Sequence, residues 1–141
     1  MEKRVGSRAI IFTNGKMLTM FRRKRNKEGV LEEYYVTPGG GREGDETLEE
    51  NVIRELKEEF NVDIKVLGYL GVEENEKSVN HFFHCEIVDG TPHLGGEELE
   101  RMNPDNYYEV REIPIEELGK YDIKQAKNKI EKALKCEYED R

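Results

Sequence analysis

Three glutamates lie close together near the middle of the chain. Glu55, Glu58 and Glu59 are spaced i, i+3 and i+4, so a helix would place all three carboxylates on one face. Clustered carboxylates repel one another unless a cation lies between them. A ligand set made only of oxygen atoms suits a hard cation such as Mg²⁺ or Mn²⁺. The spacing therefore indicates a metal site, although glutamate-rich helix faces are more often solvated surface.

Two features of the surrounding sequence favour the metal site over a solvated helix face. The predicted helix follows three glycines at 39–41, where the backbone can approach a ligand closely. The apolar residues of the helix cover an arc of about 140°, with Glu55 just outside one edge and Glu59 within it. Acids in such positions are expected to be partly buried, and buried acids need a partner or a metal ion. The predicted apolar face consists of Leu48, Val52, Ile53, Leu56 and Phe60.

The stretch over residues 40–62 resembles the signature of the Nudix hydrolases. That signature reads Gly, five residues, Glu, seven residues, and then Arg-Glu-apolar-any-Glu-Glu-any-Gly-apolar. This chain departs from it at Asn61, where the family usually has glycine. Asparagine is the next most tolerant residue for the left-handed conformation that ends a helix, so the departure leaves the resemblance intact. The matching positions are Gly40, Glu46, Arg54, Glu55, Leu56, Glu58, Glu59 and Val62.

The resemblance implies a fold, an activity and a set of metal ligands. It implies an α/β/α sandwich around a mixed sheet, and Mg²⁺-dependent hydrolysis of a diphosphate linkage in a nucleoside diphosphate joined to another group. Glu55, Glu58 and Glu59 would hold the metal ion, with Mn²⁺ as an alternative to Mg²⁺. Gly39 or Gly40 would offer a backbone carbonyl. Glu55 or Glu58 would also take a proton from the attacking water.

The other signature residues are expected to be structural. Gly40, Glu46 and Arg54 match family positions that stabilise the junction between the glycine turn and the helix. Arg54 also lies i, i+4 from Glu58, so it is expected to orient that carboxylate.

The family often supplies one more acid from a loop distant in sequence. Residues 89–106 are predicted to form a long loop, and a loop of that length in a compact domain is often functional. Its acidic candidates are Glu97, Glu98 and Glu100, of which Glu98 is assigned to the metal site. The alternative of a solvated acidic loop has equal weight on the sequence alone.

Three arginines are candidates for contacts to substrate phosphates, because a guanidinium binds phosphate through two parallel hydrogen bonds. They are Arg22, Arg23 and Arg42, although the first two also fit a solvated strand end. His81 and His84 lie three apart on a predicted strand and therefore on opposite faces. They cannot both serve one site, and each is expected to be a packed or surface histidine.

Composition and charge limit the class of protein. The 141 residues are predicted to form one domain, 1–141. The net charge of −8 argues against a nucleic-acid duplex or an anionic membrane as partner. The chain lacks a signal-peptide core, and Cys85 and Cys136 are expected to be reduced thiols, so a cytoplasmic protein is predicted. The oligomeric state stays open, with a homodimer among the alternatives.

The order of predicted elements indicates an α/β or α+β class with a mixed sheet. Asn14-Gly15 is the strongest signal for a tight hairpin turn. Asp45 or Thr47 is expected to cap the central helix, which runs to Phe60. Strands are predicted at 4–12, 16–21, 33–36, 62–72, 79–88 and 107–113, a charged loop at 22–32, a helical turn at 115–118 and a C-terminal helix at 123–134.

The substrate cannot be read from the signature. A nucleoside triphosphate, a nucleotide sugar, ADP-ribose and a dinucleoside polyphosphate all fit it, because specificity depends on residues outside the motif. A non-catalytic module that binds a nucleotide-like ligand is the alternative function. The presence of all three motif carboxylates favours the hydrolase.

Overall fold

The computed structural model describes residues 2–124 and 126–138, apart from the side chain of Glu97. The strands are β1 (Arg4–Thr13), β2 (Lys16–Arg25), β3 (Leu31–Val36), β4 (Gly39–Gly41), β5 (Asp63–Glu74), β6 (Ser78–Asp89) and β7 (Asn106–Pro114). The helices are α1 (Leu48–Phe60), α2 (Gly96–Arg101), α3 (Lys127–Tyr138) and a 3₁₀ helix (Ile115–Lys120). None of the helices within these ranges is long and apolar enough to cross a membrane.

Strand β1 is the centre of a mixed sheet. The strands follow the order β3-β2-β1-β6-β5, while β4 pairs with β1 and β7 pairs with β2. The β1–β6 pair is parallel, and the other pairs are antiparallel. Along one edge, β1 pairs with β2 at Phe12 and Thr13 and with β4 at Gly6 to Arg8. Strand β1 therefore connects two parts of the sheet, with β2 paired to its C-terminal end and the glycine strand β4 paired to residues 6–8.

The predicted hairpin turn has the backbone that its sequence favours. Asn14 and Gly15 both have positive φ, 51° and 77°. This combination is the one that a two-residue turn needs to match the twist of its strands, and asparagine followed by glycine adopts it at least cost.

Apolar side chains cover both faces of the sheet. On one face, Leu56 and Phe60 of α1 pack against a buried cluster that includes Phe83. On the other face, Ile130 of α3 packs against a cluster that includes Phe82. These layers confirm the predicted mixed sheet with helices on both faces. Ile53 was expected on the core face of α1 but is 39% exposed, because the buried face is centred on the stripe of Val52, Leu56 and Phe60.

Four predictions about the elements are wrong in informative ways. Residues 22–25 were predicted as charged loop, yet β2 extends to Arg25 because β3 and β7 both pair with it there. The glycines at 39–41 form strand β4, not a simple turn, because β1 offers them a free edge. The predicted loop 89–106 contains α2, and the C-terminal helix begins at Lys127, later than expected.

Candidate active site

Helix α1 begins with a double cap that anchors its first turn. The hydroxyl of Thr47 accepts a hydrogen bond from the backbone N–H of Glu50 at 3.1 Å. The Glu50 carboxylate accepts one in return from the backbone N–H of Thr47 at 2.7 Å. This reciprocal arrangement satisfies two donors that every helix start exposes, and it selects Thr47 over Asp45 as the cap.

Arg54 ties the loop before α1 to the helix. Its Nε and Nη2 donate to the Glu46 carboxylate at 2.9 and 2.7 Å, and Nη2 also donates to the carbonyl of Gly41 at 3.0 Å. Its Nη1 lies 3.1 Å from Glu58 Oε2 and 3.3 Å from Glu55 Oε1. The guanidinium holds the pKa of Glu46 below its usual range. The geometry is that of a structural junction, which also draws Glu58 toward Arg54.

The carboxylate of Glu55 lies directly over Gly40. A Cβ built at Gly40 would be only 2.6 Å from Cδ and Oε1 of Glu55. Any larger residue at position 40 would therefore displace this side chain. Asn51 holds the same glycine backbone. It is fully buried, and its Nδ2 donates to the carbonyls of Gly40 and Gly41, each at 3.3 Å.

Asn51 was missed by the sequence analysis. The apolar arc predicted for α1 did not indicate it, because position 51 falls about 60° outside that arc, although the structure buries it one turn before Glu55. A buried polar side chain needs a hydrogen-bond partner. Which partner it would find could not be known without the position of β4.

Glu55, Glu59 and Glu98 form a partly buried carboxylate cluster. Glu55 is only 6% exposed, and burial raises its pKa. Burial, together with hydrogen bonding to Glu55 and the nearby charge of Glu98, raises the pKa of Glu59 to about 10. Within the described residues, Oε2 of Glu55 and Oε2 of Glu98 are buried and have no hydrogen-bond partner. Orphaned carboxylate oxygens of this kind suit a hard divalent cation, which would also relieve the repulsion between the acids.

Not all of the predicted metal ligands belong to the buried carboxylate cluster. Glu58 has a side chain that is 55% exposed and paired with Arg54. In the described ranges, no three acidic, histidine or cysteine side chains are already arranged to hold a metal ion. Glu100 is exposed, and the side chain of Glu97 lies outside the described part of the chain. Gly39 and Gly40 lie beside the carboxylates on the wall of the same cleft.

The carboxylate cluster opens into a cleft of about 570 Å³ that is lined by side chains of both charges. Arg22 and Arg42, two of the three arginines predicted to contact phosphate, line this cleft. Arg23 does not, because alternate residues of a strand point to opposite faces, and its guanidinium lies 3.5 Å from Glu33. The cationic residues of the cleft are Arg4, Arg8, Arg22, Lys24, Arg42 and Arg101.

Two of these arginines are held by neighbouring groups. Arg22 donates from Nη2 to the Tyr108 hydroxyl at 2.8 Å, and its guanidinium lies 4.4 Å from the centre of the Tyr108 ring. Arg8 donates from Nη1 to the carbonyl of Thr37 at 2.8 Å. Burial lowers the pKa of Arg8, while the charges of Glu59 and Glu55 oppose that change. Arg8 was missed because it directly precedes the apolar run of β1; an arginine at the edge of such a run was the available signal.

The two strand histidines lie on opposite faces of β6, as expected. His81 Nδ1 is 2.8 Å from the hydroxyl of Tyr69, and His84 is buried beside Phe12. Neither lines the cleft.

The sequence was compared with models of protein families and with curated proteins. A family model for the NUDIX domain matches residues 3–134. No curated protein matches the sequence at a significant level.

The fold is similar to several solved structures. A MutT NUDIX hydrolase from Burkholderia pseudomallei is 23% identical, with 96% of this chain and 98% of that chain covered and a TM-score of 0.68. The E. coli ORF135 protein is 21% identical, with 100% and 94% covered and a TM-score of 0.65. An ADP-ribose pyrophosphatase from Streptococcus suis is 19% identical, with 99% and 96% covered and a TM-score of 0.64. At these identities, the similarity establishes the shared fold.

Proposed function

Because the chain belongs to the NUDIX domain family, as its signature predicted, we propose that it hydrolyses the diphosphate linkage of a nucleoside diphosphate joined to another group. The membership makes it a Nudix-type hydrolase, the enzyme class expected from the sequence. The finer proposal concerns the linkage, the cation and the residues that act on them. A cytoplasmic location remains part of the proposal; Cys85 and Cys136 are both unpaired.

One observation carries the proposal: partly buried carboxylates and arginines line the same cleft. Glu55 and Glu59 stand at one wall, and Arg8 and Arg22 belong to the same cavity. Buried carboxylates without a cation are costly, so the acidic wall favours a divalent ion. Arginines favour the phosphates of an anionic substrate. A diphosphate bound beside a divalent cation satisfies both groups at once.

The carboxylates are the proposed cation ligands. Glu55, Glu59 and Glu98 supply oxygen atoms, and Gly39 or Gly40 supplies a backbone carbonyl. Such a set fits Mg²⁺ or Mn²⁺. When bound, the cation would neutralise phosphoryl charge and make a coordinated water more acidic. Glu58 joins the set only if its carboxylate leaves Arg54, which lies 3.1 Å away.

The remaining work belongs to side chains of this chain. Arg8, Arg22 and Arg42 bind and orient the phosphates. Glu55 or Glu58 accepts the proton of the attacking water at a carboxylate oxygen. Positioning by fixed side chains accounts for a large part of the barrier reduction in phosphoryl transfer, so the anchored guanidinium of Arg22 suits this task.

The experiment is product analysis over a substrate panel. Purified protein is incubated with nucleoside triphosphates, nucleotide sugars, ADP-ribose and dinucleoside polyphosphates, with Mg²⁺ or Mn²⁺, at several pH values. Release of a nucleoside monophosphate from at least one compound is expected, with Glu55→Gln losing most of the rate. Binding of these compounds without turnover on any of them would instead support the non-catalytic binding module.

A further inference from the structure

Asn61 ends helix α1 at a position where glycine would serve as well for the backbone. It ends α1 in the left-handed conformation, with φ 57° and ψ 36°. Glycine, the usual residue at this position of the signature, adopts that conformation without cost. The backbone alone therefore does not explain the asparagine. Its Nδ2 donates to the carbonyl of His93 at 3.0 Å, a bond that glycine cannot make.

This bond is part of a seam between the end of α1 and residues 93–95. The N–H of His93 donates to the carbonyl of Phe60 at 3.1 Å, and the N–H of Gly95 donates to the carbonyl of Glu59 at 3.0 Å. These are carbonyls of the last helical turn, which have no partner within the helix. Of these three bonds across the seam, the one from Asn61 depends on a side chain.

Two glycines let the segment lie directly on the helix end. A Cβ at Gly95 would come within 2.5 Å of Asn61 Nδ2 and 3.1 Å of the Glu58 carbonyl. Gly96 has φ +64°, and a Cβ there would lie 2.9 Å from the same carbonyl. The chain can reach this close contact only because both residues lack a side chain.

The seam leads directly into the helix that carries Glu98. Helix α2 starts at Gly96, so Glu98 lies in its first turn. The Glu98 carboxylate lines the cleft with Glu55 and Glu59, and its Oε2 is buried. The position of this carboxylate is therefore set by how residues 93–96 sit on the end of α1.

We propose that Asn61 is a positioning residue, whose side-chain donor holds residues 93–95 on the end of α1 and thereby places Glu98 against Glu59. The inference rests on the proposed function, since Glu98 matters for the reaction only as a ligand of the divalent cation. Replacement by glycine keeps the backbone conformation but removes the donor. Asp is likewise tolerant of the left-handed region, and it sets a carboxylate against the His93 carbonyl.

The test measures metal affinity in the absence of substrate. Mn²⁺ is titrated by calorimetry into the wild type, Asn61→Gly and Asn61→Asp. The matched control is Asn14→Gly, since Asn14 also has positive φ, 51°, but lies in the exposed hairpin turn. Loss of one hydrogen bond is expected to weaken Mn²⁺ binding by about two- to tenfold in both Asn61 variants. The control should bind Mn²⁺ as the wild type does.

Hydrogen exchange gives a second readout that needs no metal. The amide of Gly95 should exchange faster in Asn61→Gly, while amides in the middle of α1 keep their protection. Wild-type Mn²⁺ affinity and wild-type exchange at Gly95 in both Asn61 variants would overturn the proposal.

A double-mutant cycle separates positioning of Glu98 from general loosening of the fold. If Asn61 acts through Glu98, Asn61→Gly should have no further effect on Mn²⁺ affinity in a Glu98→Gln background. Equal effects of Asn61→Gly in both backgrounds would refute that route. If the proposed function is wrong, the wild type will hydrolyse no compound in the panel. The exchange rate of the Gly95 amide would still show whether Asn61 holds residues 93–95 on the end of α1.

Discussion

The contact between Gly40 and Glu55 yields the sharpest test of the carboxylate cluster. In Gly40→Ala, the new methyl group would lie 2.6 Å from Cδ and Oε1 of Glu55 and 2.7 Å from Oε2. An ordinary contact needs roughly 3.5 Å or more between such atoms, so the carboxylate must move by about 1 Å. A displacement of that size at a catalytic group costs on the order of 10²-fold in rate. The overpacking itself should cost about 1–3 kcal/mol of stability.

The control for this prediction is Gly44, which lies between β4 and α1. A Cβ at Gly44 meets nothing within 4 Å, but Gly44 has φ +54°, so Gly44→Ala carries a backbone cost without displacing Glu55. Both variants should unfold at lower urea concentration than the wild type. Only Gly40→Ala should lose turnover on the substrate identified from the panel, and only it should bind Mn²⁺ more weakly in calorimetry. Wild-type turnover in a folded Gly40→Ala would refute the reasoning, because turnover would then not depend on the position of the Glu55 carboxylate.

Three further predictions follow from the site. The pKa of Glu59 is raised to about 10, so between about pH 4.5 and 10 the folded state holds a proton there that the unfolded state has lost. The metal-free protein should therefore lose stability as the pH rises through that range. In thermal melts, the melting temperature of Glu59→Gln should depend less on pH than that of the wild type. Arg22→Ala should raise KM about tenfold through loss of a phosphate contact, whereas Arg23→Ala should leave it unchanged, and an equal rise in both would contradict the assignment of faces. Asn61→Val should be less stable than Asn61→Gly by about 1 kcal/mol or more, because a β-branched residue resists positive φ; equal midpoints in thermal melts would speak against the left-handed cap.

The sequence was sufficient for features that depend on local periodicity. The spacing of Glu55 and Glu59 on a helix follows from the helical repeat, so their shared face could be stated without coordinates. The turn at Asn14 and the cap at Asn61 likewise depend on backbone conformations that few residues adopt, and both have positive φ in the structure. The family was identified from the same local information, since its signature is one loop and one helix.

Other features depend on which segments meet, and they could not be inferred from the sequence. Arg8 adjoins an apolar run yet reaches the cleft, whereas Arg23 lies in a charged run and does not, because strand pairing and the direction of alternate side chains decide the face. Glu98 meets Glu59 because residues 93–96 lie on the end of α1. The raised pKa values of Glu55 and Glu59 require burial by elements far apart in the chain. Local sequence therefore determines which groups can do chemistry, whereas long-range packing decides which of them share one desolvated site.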